Sequence, residues 1–373
     1  MRVLLVTANF RPSVGGIERF VEILADGLAQ RGHDVTVATC RTRGAPAIEQ
    51  AGPVRIVRVR ASDLPRKRLG VPYPVPSPLG LVRTLRELIG ETDVVHANDA
   101  LYLTTLAALA LARRHAVPSV LTQHVSFTPQ GNVVLDLAQH AAIRTIGRSA
   151  RLADAVTAYN PSVAESARRR WQLREVKVLP IGVPSPLVSE ADRMATRREL
   201  GLPEDRFIAL FTGRDVPTKR LDLFLSAGDP AYELVAVTDR PADDSPARLL
   251  PFMSPARFGK LLAAADAFVL PSRAEGLPLA LQEALVAGVP CIVTRLPGFD
   301  RFLDDGDAIF VPPDTAAIRD GLRRLASDES FRLALADRAR RAGERQFGLD
   351  RFVDAYEALY DDLRRSTGPR VSA

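Results

Sequence analysis

Cysteine is nearly missing from this chain of 373 residues: Cys40 and Cys291 are the only two. That excludes a disulfide-built scaffold. Their position in apolar, strand-like runs predicts buried thiols in a reducing compartment, with a single disulfide between them left open. Long apolar runs are missing too. The opening "MRVLLVTANF" is too short for a secretory core and is followed by no small-residue cleavage pattern, so it reads as a first core strand. "LYLTTLAALALA" (101–112) falls far short of a membrane span, so the expected location is cytoplasmic or membrane-peripheral. Aromatic residues make up 6% and do not interleave with the cation clusters, which argues against a nucleic-acid-binding module. Two nucleotide fingerprints are absent as well. There is no G-x-G-x-x-G, and the second strand ends at Thr39 and Cys40, where a nicotinamide-binding domain needs an acid for the ribose. No G-x-x-x-x-G-K-[ST] occurs either, which removes a P-loop.

What is present is ordinary for a globular protein, with 46% hydrophobic and 25% charged residues. The length suits two domains, and two domains imply a cleft. A formal net charge of +6 favours anionic partners, whether phosphates, nucleic acid or an acidic membrane surface. The densest cluster is "VRIVRVRASDLPRKR" (54–68), with six basic residues against Asp63.

The first half alternates short apolar strands with amphipathic helices. "RVLLVTA" leads through a loop into "IERFVEILADGLAQRG", whose Ile17, Phe20, Ile23, Leu24 and Leu28 recur at helical spacing, and then into "DVTVATC". This βαβ opening predicts a parallel sheet covered by helices. "VRIVRVR" alternates with period two and predicts a strand near a sheet edge with its arginines facing solvent. A helix is expected over 81–89, and "TDVVHA", "PSVLTQH" and "DAVTAYN" read as buried strands. "VKVLPIGV" runs into "PSPLVSEAD", a natural hinge, after which strand and helix patterns alternate again from "RFIALFTGR" to "AIFVPP". The expected fold class is α/β, with two doubly wound Rossmann-like parallel-sheet domains facing a cleft. The boundaries are 1–183, 184–350 and a terminal helix over 351–373 that returns to the first domain.

Ligands of such sheets bind beyond the carboxyl ends of the strands, which selects three loops. "NFRPSVGGIERF" puts Gly15 and Gly16 where loop becomes helix, so amides and the helix's positive end are placed for a phosphate, or the pair merely serves the turn. In "FTGRDVPTKRLD", Arg214 and Lys219 stand five residues apart at a strand end and a helix start; they bracket a diphosphate or are simply solvated. "PSRAEGLPLALQEALVAGVPCIVT" (271–294) is the most informative stretch. Glu275 precedes the helix and Glu283 lies inside it, up to ~12 Å apart if the intervening residues are helical. Gly276 and Leu277 offer amides between them. One extended ligand, with hydroxyls at both ends and phosphates between, would satisfy this spacing, and a nucleotide sugar has that shape. The bland alternative makes Glu275 a helix cap and Glu283 an exposed residue.

Over nearly its whole length the sequence resembles the retaining glycosyltransferases of family 4, which have the GT-B fold. The resemblance rests on the E-x7-E motif "EGLPLALQE", supported by "GGIERFVEILADGLAQRGHDVTV" and "GRDVPTKR". It implies that Glu275 contacts donor-sugar hydroxyls and Glu283 the nucleotide ribose. Arg214 and Lys219 would clamp the diphosphate, and Gly16 would make a backbone phosphate contact. His124, in "LTQHVSF", is similar to the first-domain histidine facing the donor sugar. His96 either lines the acceptor side or is a satisfied structural histidine, and Tyr73 is a candidate at the acceptor or membrane surface. The family needs no metal and no further cofactor, in keeping with the lack of a D-x-D ahead of the nucleotide site. "DDGD" (304–307) reads as a turn near the donor pocket.

The implied reaction moves a hexosyl unit from a nucleotide diphosphate sugar, with a UDP- or GDP-sugar the expected donor. The acceptor hydroxyl belongs to a lipid-linked, aminocyclitol or saccharide acceptor. Peripheral contact with an anionic membrane, at the inner face of the plasma membrane, is expected through "RKRLGVPYPVPSP", and no nucleic acid is expected as a partner. A GT-B phosphorylase or other nucleotide-sugar enzyme is the competing reading. Departures from the family pattern fall at "IGVP" and "TDRPADD", near the expected base pocket.

Overall fold

The computed structural model of the chain describes residues 1–13, 15–64, 73–125, 141, 143–185, 189–241, 245–275, 277–296 and 299–367. Its contacts divide it into unit 1, Met1–Gly182 with Asp350–Ala373, and unit 2, Val183–Leu349.

Unit 1 opens with β1 (Arg2–Val6), α1 (Gly16–Gln30), β2 (Asp34–Cys40), β3 (Ile48–Ala51), β4 (Val54–Val59) and the small hairpin of β5 (Ala61–Ser62) and β6 (Val75–Pro76). It continues with α2 (Pro78–Gly90), β7 (Val94–Asn98), α3 (Leu103–Arg114), β8 (Ser119–Gln123), β9 (Ala155–Ala158), α4 (Pro161–Trp171) and β10 (Lys177–Val178). The sheet order is β10-β9-β8-β7-β1-β2-β4-β3. Every pairing is parallel except β3 with β4. Strands β7 and β8 are buried at every position, as expected where helices cover both faces. Helix α1 turns Phe20, Ile23, Leu24 and Leu28 inward at the spacing read from the sequence.

Strand β4 departs from its expected pattern. Arg55 is exposed, but Arg58 is buried because β3 covers the edge and the loop after β1 closes over it. Its Nη1 meets Glu49 at 2.7 Å and the Pro46 carbonyl at 3.2 Å and its Nη2 the Arg11 carbonyl at 2.9 Å, while Nε is buried without a hydrogen bond among the described residues. A buried cation persists only with such partners.

Unit 2 contains α5 (Glu190–Glu199), β11 (Phe207–Thr212), α6 (Leu221–Ser226), β12 (Tyr232–Val237), β13 (Arg248–Leu250), α7 (Pro255–Ala264), β14 (Ala267–Leu270), α8 (Leu279–Val286), β15 (Cys291–Thr294), β16 (Ile309–Val311), α9 (Thr315–Ser327) and α10 (Glu329–Phe347). Its sheet, in the order β13-β12-β11-β14-β15-β16, is parallel throughout. The stretch expected as a hinge leads into α5, which starts with a capping box between Ser189 and Asp192. On α5, Arg197 is fully buried and donates to the carbonyls of Pro203, Glu204, Arg206 and Ala264 and to Asp266 at 2.8 Å. Asp266 also accepts the Ile208 amide at 2.7 Å, so one ion pair ties α5 to the starts of β11 and β14.

The last helix, α11 (Leu349–Thr367), belongs to unit 1 apart from its first residue. Its acids Asp354 and Glu357 bind Arg31, and Glu357 also meets His33, at the end of α1. Tyr356 and Tyr360 enter the core, where their hydroxyls join Thr122, Thr157 and His96. Both cysteines are free and buried. Among the described residues no helix is long and apolar enough to cross a membrane.

Candidate functional site

In unit 2 the neighbouring strands β11 and β14 deliver two loops to the same carboxyl edge. The Arg273 amide donates to the Thr218 carbonyl at 2.8 Å and stitches them together. Across this seam Lys219 Nζ donates to Glu275 Oε1 at 2.5 Å, joining residues 56 positions apart. Gly213 makes room for the lysine stem: a Cβ there would lie 3.3 Å from Lys219 Cδ. Arg214 is exposed just past β11, and its guanidinium has no partner among the described residues. Arg220 adopts a φ of 53° at the start of α6 and bonds Asp222 at 2.9 Å; with Pro217 and Arg273 these two line an open pocket beside the seam.

Helix α8 begins at Leu279 with Pro278 as its cap, and no side chain caps it. Glu275 therefore does not take the capping role, being engaged by Lys219. The amides of Leu281 and Gln282 are taken by the Pro278 carbonyl, so the amides left over at the start of the helix are those of Leu279 and Ala280. Leu277 is buried and its carbonyl accepts from Gln282 Nε2 at 3.2 Å, while Glu283 is half-buried on the first full turn. Gly276 lies outside the described residues. Ser272 Oγ, Gln282 Oε1 and Thr294 Oγ1 are buried polar atoms without a hydrogen bond among the described residues, all on this loop and helix or at the end of β15.

The candidates of unit 1 gather at the carboxyl edge of β1, β7 and β8. Gly15 caps α1 with extended backbone, and Gly16 is open to solvent. The Glu18 carboxylate lies over this helix end, since a Cβ on Gly15 would be 2.2 Å from Glu18 Oε2. Burial pushes the Glu18 acid up. The expected phosphate contact at Gly16 is thus shared with a like-charged group of the chain itself. Tyr73 donates to the Leu101 carbonyl at 2.6 Å and packs edge-on to Tyr102.

The two histidines expected at strand mouths part company here. His96 is completely buried, with Nδ1 on the Tyr360 hydroxyl at 2.6 Å and Nε2 on Thr122 Oγ1 at 2.7 Å. The acceptor-side expectation for His96 is corrected: both ring nitrogens are used inside the core, and the structural alternative holds. His124 follows β8 and, among the described residues, shares only one nitrogen, Nε2 with Asn98 Oδ1 at 2.9 Å. Burial pushes both imidazoles down to about 3, so both are neutral.

Asp99 was not singled out by its sequence context. It sits just past β7, is 1% exposed and holds a φ of 59°, uncommon for a residue with a side chain. Its carboxylate accepts the Leu101 amide and Gln123 Nε2, each at 3.1 Å, yet burial pushes it up to about 6. The same rule of strand ends that selected the other loops applies to "ANDA", but an Asp after a strand is too common to stand out.

Comparison with known proteins bears on the fold and the family. The family described as Glycosyltransferase Family 4 matches residues 14–185, and Glycosyl transferases group 1 matches 247–342. The chain is 30% identical to the D-inositol 3-phosphate glycosyltransferase of Geodermatophilus obscurus, over 93% of this chain and 84% of that protein. It is 25% identical to the putative teichuronic acid biosynthesis glycosyltransferase TuaC of Bacillus subtilis, over 98% and 100% of the two chains. In fold it is similar to the sucrose-phosphate synthase of Thermosynechococcus elongatus, with a TM-score of 0.70 at 20% identity over 98% and 99% of the chains. It is similar also to HepE of Anabaena solved with UDP-glucose, with a TM-score of 0.70 at 15% identity over 97% and 100%. With its two parallel α/β units and these relatives, the chain is a glycosyltransferase of the GT-B fold and belongs to the family 4 group.

Proposed function

We propose that this glycosyltransferase transfers a hexosyl unit from a nucleotide diphosphate sugar to an acceptor hydroxyl with retention at the anomeric carbon. The observation that carries the reading is the Lys219–Glu275 contact of 2.5 Å, which unites a cation suited to a diphosphate with the first acid of E-x7-E. On this reading Arg214 and Lys219 stabilise charge on the departing diphosphate, where electrostatic stabilisation of a leaving group is worth most. The first turn of α8, with Leu277 before it, offers amides to the same anion. Glu283 receives the ribose and Glu275 the sugar hydroxyls, while Gly15 and Gly16 add a phosphate contact and His124 meets the transferred sugar. No carboxylate is assigned as nucleophile. The acceptor attacks on the face the diphosphate leaves, and a departing phosphate oxygen takes the acceptor proton. The resemblance implies that no metal is required.

The UDP-glucose bound to the structural neighbour supports a nucleotide-sugar donor. The names of the relatives, inositol 3-phosphate and teichuronic acid glycosyltransferases, support a cyclitol or glycan acceptor. Peripheral contact with an anionic membrane is supported by α2, whose exposed face carries Leu79 and Val82 beside Arg83 and Arg86. Most of the basic segment expected to make that contact, 65–72, lies outside the described residues. Co-sedimentation with anionic vesicles at low salt tests it, and recovery in the supernatant would count against it.

The decisive experiment is a thermal-shift panel of UDP-, GDP-, ADP- and TDP-sugars on the wild type and on Glu283→Ala. One nucleotide class is expected to stabilise the wild type and not the variant; no shift with any of them would overturn the donor reading. The anomeric configuration of the product, read by NMR, tests retention separately.

A further inference from the structure

Two buried histidines with the same neutral charge state differ in what they leave open. His96 spends both ring nitrogens within the core. His124 spends one, and its Nδ1 has no hydrogen-bond partner among the described residues. Its ring is held by packing: Phe20 meets it edge-on with centroids 4.6 Å apart, and Tyr159 stacks on it at 6.4 Å.

The protons in this site follow from what each atom is able to do. The Val6 carbonyl only accepts, so the group of Asn98 that faces it at 3.2 Å is the amide NH2. Asn98 Oδ1 must then be the atom 2.9 Å from His124 Nε2, and an amide oxygen only accepts. Nε2 therefore carries the hydrogen. A neutral imidazole carries one, so Nδ1 presents a lone pair. His124 is neutral because burial pushes it down to about 3. A ligand atom that approaches Nδ1 has to be a donor: a hydroxyl is attracted, and a carboxylate meets two lone pairs face to face.

We propose that Asn98 is a positioning residue that locks His124 in the Nε2–H tautomer, so that Nδ1 accepts a hydrogen bond from a hydroxyl of the transferred sugar and discriminates against a uronate there. This rests on the reading that His124 meets the donor sugar. Asn98 makes the choice because it is itself anchored at the end of β7, with its NH2 on β1. A residue unable to accept at that position would leave the two tautomers free to interchange.

The test uses the full chain with 15N-labelled histidine, five residues in all, and assigns His124 by comparison with His124→Gln. Without ligand at neutral pH, His124 is expected as a single Nε2–H form. UDP-glucose and GDP-mannose are then added as probes, with UDP and GDP alone as controls and binding followed by calorimetry. The probe that binds is expected to shift the Nδ1 resonance, and its nucleotide alone is not. In Asn98→Leu, His124 should become a tautomer mixture. KM for the sugar nucleotide should rise about tenfold, the worth of one hydrogen bond, with kcat changed far less, and the preference for UDP-glucose over UDP-glucuronate, or GDP-mannose over its uronate, should narrow. An unliganded His124 in the Nδ1–H form overturns the proposal. So does a sugar nucleotide that binds and leaves Nδ1 unmoved, although the donor reading then survives. If neither probe binds, the sugar nucleotide that stabilises the protein in the thermal-shift panel takes their place; if none does, the donor reading fails and takes this one with it. Should Asn98→Leu not fold, the wild-type spectra still decide.

Discussion

The carboxyl edges of the two sheets solve different electrostatic problems. In unit 2, Arg214, Lys219 and Glu275 stand at or near the surface of two stitched loops, beside a helix start that no side chain caps. In unit 1, His124 and Asp99 are buried, and burial drives the first toward neutrality and the second up to about 6. On the proposed reading, one edge keeps positive charge for an anion. The other, on the same reading, would recognise its ligand by the direction of hydrogen bonds, because a buried group shows little charge but a fixed orientation. A transferase that separates charge at one end of its donor and must recognise neutral hydroxyls at the other has use for both.

This contrast breaks most visibly at Lys219. Lys219→Ala is expected to lower kcat on the order of 10²- to 10³-fold, as for other donors aimed at developing charge, while the melting temperature moves by only about 2 °C. Steady-state kinetics and calorimetric melting on the same preparation check it, and a large loss of stability with kcat intact would make the pair a structural strut. Next in size is Glu283→Ala, which should weaken nucleotide binding about 10- to 100-fold by titration calorimetry, the cost of a charged hydrogen bond. An unchanged dissociation constant would remove the ribose from Glu283.

Glu18 sharpens the comparison, because it brings a carboxylate to the one helix start in unit 1 expected to receive a phosphate. Glu18→Gln should lower the donor KM about threefold, through loss of like-charge repulsion at a helix terminus. A KM that rises would mean that the carboxylate itself contacts the ligand. The smallest effect is expected far from either edge, at Glu357. Burial raises that acid, but hydrogen bonds from His33 and Arg31 outweigh it and hold it below the usual 4.5. A depressed carboxylate contributes stability that is complete above 4.5 and is lost as the pH falls through its lower folded-state value. Glu357→Gln should therefore melt about 2 °C lower at neutral pH and converge with the wild type under acid conditions. Parallel melting curves across that range would show that α11 is held by its tyrosines alone.

Much of this was legible in the chain itself. Strands β1, β2, β7, β8, β11, β12, β14 and β15 follow from short apolar runs between helical patterns, because a strand buried on both faces leaves no other trace. The E-x7-E stretch and the candidates Arg214 and Lys219 stood out in the sequence because they lie within a few residues of a strand end. Strands β3 and β13 were not legible: each is three or four residues long, and neighbours define it more than its own composition does. Arg58 was expected to face solvent and Arg197 drew no expectation, since no local pattern reveals that carbonyls from separate loops converge on a guanidinium.

The sequence by itself determined the α/β class, the parallel sheets and the loops where chemistry would gather, because these depend on periodicity and on residues close along the chain. Only the tertiary structure decided that Lys219 meets Glu275, that His96 is closed and that His124 has one nitrogen without a partner among the described residues. Those outcomes turn on partners from 26 to 264 positions away, Asn98 and Tyr360 among them. A hydrogen bond has a direction, and the direction is set by where the fold brings the partner.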